Sequence, residues 1–225
     1  METAPRSRDG SIHVTDERFN SGSHLVGACF ALVGCGLLVS QASVQGDAWK
    51  IVGMAIFGAS LIALFVASTL HHAINGSPRL NTILRTLDYD AVFFLIAGSA
   101  TPLVLVSWRT VYGWTVLGAI WAIAVIGIVL RSVWHRVPKR FTSILYIVLG
   151  WMVALLMGTA GQIPVGGWAL MIAAGLIYSA GFVIYVVEKP NPVPGFFGFH
   201  EIWHLLVMGG ALTYYLFVYL YVLPA

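Results

Sequence analysis

The sequence predicts an all-α membrane protein: a bundle of seven transmembrane helices with the N-terminus in the cytoplasm and the C-terminus outside. Three observations carry this. Of the 225 residues, 59% are hydrophobic and only 9% charged, whereas an ordinary soluble domain is about a quarter charged. Seven apolar stretches each come near the roughly 20 residues needed to cross a hydrocarbon core about 30 Å thick. Ten of the twelve lysines and arginines then fall on one side of the seven-span arrangement, as the positive-inside bias of cytoplasmic loops requires.

Taken in order, residues 1–23 are polar and mixed in charge and lack the pattern of a cleavable signal peptide. They are expected to form a cytoplasmic tail, ahead of a single membrane domain over 24–225. The apolar stretches lie at about 24–43, 49–73, 88–107, 111–131, 141–160, 164–187 and 201–223. The first is the shortest and ends in polar Ser40, Gln41 and Ser43. The fifth and sixth are separated only by GTAGQIP, 158–164, where glycine and proline signal a tight turn. A six-helix count is the alternative if one stretch is misread. The 24 glycines suit helices that approach closely in lipid, where no hydrophobic effect drives them together.

Cytoplasmic positions hold Arg6, Arg8, Arg18, Arg79, Arg85, Arg131, Arg136, Lys139, Arg140 and Lys189, against Lys50 and Arg109 on the other side. The net charge of +3 is therefore a topology signal and calls for no nucleic acid, although anionic headgroups are a natural neighbour. Cys29 and Cys35 fit neither a zinc clip nor an obvious disulfide and read as packing residues. The chain contains no Walker loop, no GxGxxG after a strand and no GxSxG elbow. No protein partner is indicated.

The ionisable residues within the spans converge. Ser68, His71 and His72 close the second stretch, Asp88 and Asp90 open the third, and His200, Glu201 and His204 open the seventh. With alternating helix directions, all lie near the cytoplasmic face. His200 and His204, four apart, share one helix face. His72, His200 and His204 are the candidate metal ligands, and three nitrogens with an open fourth position is the pattern of catalytic zinc. Asp88 is the candidate for holding and deprotonating a water, with Ser68, one turn before His72, orienting it. Bis-histidine haem ligation and simple packing also fit the His-x-x-x-His pair. Because adjacent residues are about 100° apart on a helix, only one of His71 and His72 is expected to face the site, and His71 to face a neighbouring helix or the headgroups. His24 reads as a solvated interfacial residue, Asp90 as an interfacial or helix-capping one, and Glu201 as pointing away from the histidine pair.

The Ser-x-x-x-His of Ser68–His72, the LDY of 87–89 followed by LIAGSATP, and the His-x-x-x-His of 200–204 resemble the hemolysin III group of the progestin and adipoQ receptor superfamily. So does ERFNSGSHLVG at 17–27, with Glu17, Asn20 and His24 in place. The likeness runs from about 15 to 223. It implies a seven-helix bundle, zinc on the histidines that match His72, His200 and His204, and Asp88 reaching that zinc through water with Ser68 nearby. Two departures are visible: His71 stands where the bacterial group often has tyrosine, and LDY where it often has LDH. The short loops and tail are of the bacterial kind, which places the chain in a bacterial inner membrane. The superfamily is similar to alkaline ceramidases, which implies zinc-dependent hydrolysis of lipid amide or ester bonds, with membrane lipids as substrate. A non-catalytic regulator or receptor with structural zinc is the alternative. A pore has little support, since no polar stripe runs through the bundle.

Overall fold

Short polar caps divide the apolar chain into helices. The computed structural model describes residues 16–133, 139–159 and 163–225, and among these residues there are seven α-helices and no strand. Asp16 accepts from the backbone N–H groups of Arg18 and Phe19 and so starts α1, Glu17–Gln45, which ends at Gly46 with φ 72°. Asp47 caps α2, Ala48–Ala73, in the same way. Ser77 and Pro78 then open α3, Pro78–Ser107, the proline at a position where its missing N–H costs nothing. The remaining helices are α4, Val111–Val133; α5, Lys139–Met152, continued by a 3₁₀ segment Val153–Thr159; α6, Val165–Val187; and α7, Phe199–Phe217, continued by a π segment Val218–Val222.

Six of these, all but α5, are long and apolar enough to cross a membrane. Their outward faces carry Phe30, Leu32, Val33, Val44, Val129 and Val165, all well exposed. A water-soluble surface rarely presents so continuous an apolar face, so these side chains meet lipid. The interior is filled by Phe57, Phe93, Leu103, Ile120, Leu149, Phe199 and Phe217. Small residues let the central helices touch. A Cβ on Gly53 of α2 would come within 2.9 Å of the Pro102 backbone on α3, and one on Gly98 of α3 would collide with the Ser60 hydroxyl on α2. α2 is thereby pressed against α3 on one side and α1 on the other, while α7 packs on α6 and returns to touch α1.

Two expected boundaries move. α1 begins at Glu17, not near residue 24, so the end of the supposed polar tail is helical. α3 begins at Pro78, so Asp88 and Asp90 sit about 15 Å along the helix instead of at its start. In both cases polar residues read as lying outside a helix form its first turns, some turned inward, as Asn20 is, and others exposed, as Arg18 and Arg79 are. The turn expected at 158–164 falls partly outside the described residues.

Candidate metal centre

At one end of the bundle, the end of α2 and the starts of α1 and α7 come together. His72 near the end of α2 meets His200 and His204 in the first turns of α7, and one ligand atom from each lies within 4.8 Å of the others. All three are buried. The Nε2 atoms of His72 and His200 stand 3.4 Å apart. Two nitrogens bound to one tetrahedral zinc at about 2.05 Å each would stand about 3.3 Å apart, so this pair already has the separation that a shared ion requires. Nδ1 of His204 is buried without a hydrogen-bond partner of ordinary geometry. The donor set therefore fits a zinc-like cation.

The register of these imidazoles is set from α1. Glu17 Oε2 lies 2.6 Å from Nδ1 of His72, so an ionised carboxylate accepts a hydrogen bond from Nδ1–H and leaves the Nε2 lone pair turned toward His200. This is the carboxylate–histidine support that orients ligands in metal sites. Glu201, 1% exposed, anchors the start of α7 to α1. Its Oε1 accepts from the Asp16 backbone N–H at 2.7 Å and from the Asn20 amide at 3.1 Å, and its Oε2 accepts from the Gly198 N–H at 2.8 Å. Asn191 adds to this by accepting from the Phe199 N–H at 3.1 Å.

Asp88 and Ser68 lie beside the histidines. The Asp88 carboxylate is within 4.8 Å of nitrogens of His71 and His72 but outside the three-histidine set, and Ser68 borders the same cavity. The site opens into a cavity of about 180 Å³ bounded mainly by α3, α5, α6 and α7. His24, Ser68, His72, Asp88, His200 and His204 line one end, and Ile147, Ala154, Phe182 and Trp203 line the apolar remainder.

The geometry corrects three expectations. His24 is not a solvated interfacial residue: it is 3% exposed and stacks on His204 with ring centroids 3.8 Å apart. Asp90 neither faces the interface nor caps a helix; it is buried and accepts from the Ser132 hydroxyl at 2.9 Å. His71 does face a neighbouring helix, lying buried beside Asp88 of α3, but it borders the cavity together with His72, where only one of the two was expected to face the site. Glu201 does point away from the histidine pair, toward α1. The supporting part of α1 was detectable in the sequence, because Glu17, Asn20 and His24 are spaced three and four apart, the signature of one helix face.

A family model described as Haemolysin-III related matches residues 12–215. The chain is similar to Hemolysin-3 of Bacillus cereus, 34% identical over 212 residues, covering 94% of each chain. It is also similar to a Hemolysin-3 homolog of Bacillus subtilis, 30% identical, covering 92% of this chain and 95% of that one. An adiponectin receptor protein of Drosophila melanogaster is 27% identical over 91% of this chain and 50% of its own length. With six helices fit to span a bilayer, this is a multi-pass cell-membrane protein, and the chain belongs to the haemolysin-III related family, the hemolysin III group of the progestin and adipoQ receptor superfamily.

Proposed function

We propose that the chain is a zinc-dependent hydrolase of lipid amide or ester bonds, working near the cytoplasmic face of the membrane. One observation carries it: three buried histidines at ligand spacing stand at the polar end of an otherwise apolar cavity, with an aspartate beside them. A polar reaction centre joined to an apolar chamber is what a substrate with a polar linkage and a long hydrocarbon tail needs.

Bound zinc would supply a Lewis acid for the scissile carbonyl and a lowered pKa for water. The chain's own residues do the rest. Asp88, with Ser68 beside it on the cavity wall, accepts a proton from the attacking water at its carboxylate and returns it to the leaving amine or alcohol. Glu17 fixes the His72 ring. The apolar wall of α5 and α6 excludes bulk water and holds the acyl chain.

The topology belongs to the same reading. α5 and its 3₁₀ continuation, Lys139–Thr159, extend about 35 Å at 1.5 and 2.0 Å per residue. That is enough to cross a hydrocarbon core of about 30 Å, which supports seven spans. Arg79, Arg85 and Arg131 lie at the histidine end of the bundle, which supports a cytoplasmic N-terminus, an external C-terminus and one membrane domain.

The deciding assay offers long-chain amide and ester lipids to zinc-loaded protein in nanodiscs and measures released fatty acid. Release that stops on chelation and returns with zinc is the expected result. No release across a broad panel, with zinc measured in place, would overturn hydrolysis. It would favour the second reading, a regulator in which zinc ties α2 to α7; the links from α1 to both helices through Glu17 and Glu201 are the observation behind that alternative.

A further inference from the structure

Two overlapping donor sets share one imidazole. Among the described residues, His72, His200 and His204 form the first and His71, His72 and Asp88 the second, and in each the ligand atoms lie within 4.8 Å of one another. The ring centroids of His71 and His72 are 4.7 Å apart, and both rings are buried. His71, Asp88 and the three-histidine set all border the same cavity, so no wall separates the two sets.

His72 cannot serve both at once. With the Glu17 carboxylate ionised, the Nδ1 of His72 2.6 Å away carries the hydrogen of that bond, which leaves Nε2 as the nitrogen with a lone pair. One lone pair binds one ion.

We infer that His71, His72 and Asp88 form a second metal position that competes with the three-histidine position for His72 Nε2, so that the chain binds a single divalent cation distributed between two overlapping triads. The inference rests on the metal reading of the histidine cluster. Three imidazoles on one side, and two imidazoles with a carboxylate on the other, are both donor sets that zinc and neighbouring first-row divalent ions take with an open position. An ion can pass between them by exchanging His71 and Asp88 for His200 and His204 while it keeps His72. The two positions are not equivalent in function. In the second, Asp88 is a ligand and cannot accept a proton from water, so that position stores the ion without hydrolysis. In the first, Asp88 is released for its proton-transfer role.

The test uses the full chain in detergent, stripped with a chelator and titrated with Co²⁺, whose visible absorption reports its ligands. Wild type should saturate at about one Co²⁺ per chain. His204→Ala touches only the first triad; it should still take about one Co²⁺, at least about tenfold more weakly and with a shifted band, and adding His71→Ala should weaken that residual binding about tenfold again. His71→Ala alone should stay within a few-fold of wild type. Two Co²⁺ per wild-type chain would overturn the sharing of His72. Total loss of binding in His204→Ala, or residual binding indifferent to His71→Ala, would overturn the second position and leave the three-histidine site standing. Wild type that binds no Co²⁺ would sink the metal reading itself and this inference with it. Should His204→Ala fail to purify as a monodisperse protein, His204→Gln, which keeps more of the side-chain volume, carries the same comparison.

Discussion

The end of the bundle where α1, α2 and α7 meet and the wall formed by α5 and α6 are built on opposite plans. At the first, polar side chains are held by one another: Glu17 on His72, and Glu201 on Asn20 and the Asp16 backbone. At the second, Ile147, Gly150, Ala154, Gly175 and Phe182 border the cavity, and the polar ties are few and lie at its edges: the Trp151 indole donates to the Ser179 hydroxyl at 3.1 Å, the Tyr146 hydroxyl donates to the Tyr89 carbonyl at 2.7 Å, and the Tyr185 and Tyr89 hydroxyls meet at 3.1 Å. On the proposed function the difference has a physical reason. A ligand set would need its donors fixed to within fractions of an ångström, whereas an acyl chain would need volume and exclusion of water. Changes at the first region should therefore move metal binding, and changes at the second should move lipid preference alone.

The largest effect is expected from His72→Ala, because His72 belongs to both donor sets. Zinc measured by mass spectrometry should fall from about one per chain to background, and hydrolysis with it. A variant that keeps its zinc would show that the ion sits away from α2. Next in size is Asp88→Asn. It keeps the side-chain shape, so zinc content should hold while hydrolysis falls by about 10²–10⁴-fold, the usual worth of general-base help. Loss of zinc equal to that of His72→Ala would make Asp88 a required ligand and not a proton acceptor.

Much of this was legible in the sequence, for reasons that differ by region. In lipid the outward face of every helix must be apolar, so the helical stretches stand out as continuous runs. His72, His200, His204 and Asp88 stood out as candidates because an ionisable group inside a span is costly, and the structure brings them to one cavity. The same physics hid the support. Glu17 and Asn20 are polar and precede the apolar run, and so they looked like tail, although they are the inward face of the first turns of α1. The spacing of Glu17, Asn20 and His24 marks one face of α1, but which helices cover His24 and Asp90, here α7 for His24 and α4 for Asp90, is not encoded by spacing within one helix. The cavity is likewise a product of packing between helices far apart in the chain.

The support can be tested separately from the ligands. Glu17→Gln removes the carboxylate but leaves every nitrogen in place, so zinc affinity in chelator competition should weaken about 10–100-fold, less than for a ligand change. Asn20→Ala leaves one Glu201 oxygen with one fewer partner in a buried setting. It should lower stability by about 1–3 kcal/mol, read in thermal melts, with zinc stoichiometry unchanged. If Asn20→Ala also strips zinc, the α1–α7 tie is part of the ligand geometry and not only of the fold.

The smallest effect, and the sharpest check on the contrast between the two regions, is expected from Gly175→Leu in α6. A Cβ at Gly175 would lie 3.4 Å from the Trp151 ring, an ordinary contact, and Gly175 borders the cavity. The added side chain should therefore enter the chamber without displacing backbone. The KM for long-chain lipids should rise several-fold, short-chain substrates should be affected less, and zinc affinity should stay at the wild-type value. Combined with Glu17→Gln, the two effects should add on a free-energy scale, because the sites share no partner. A Gly175→Leu chain that binds zinc more weakly, or a double variant whose loss departs clearly from the sum, would mean that the apolar wall helps to set the histidines, and that the two regions are one mechanical unit.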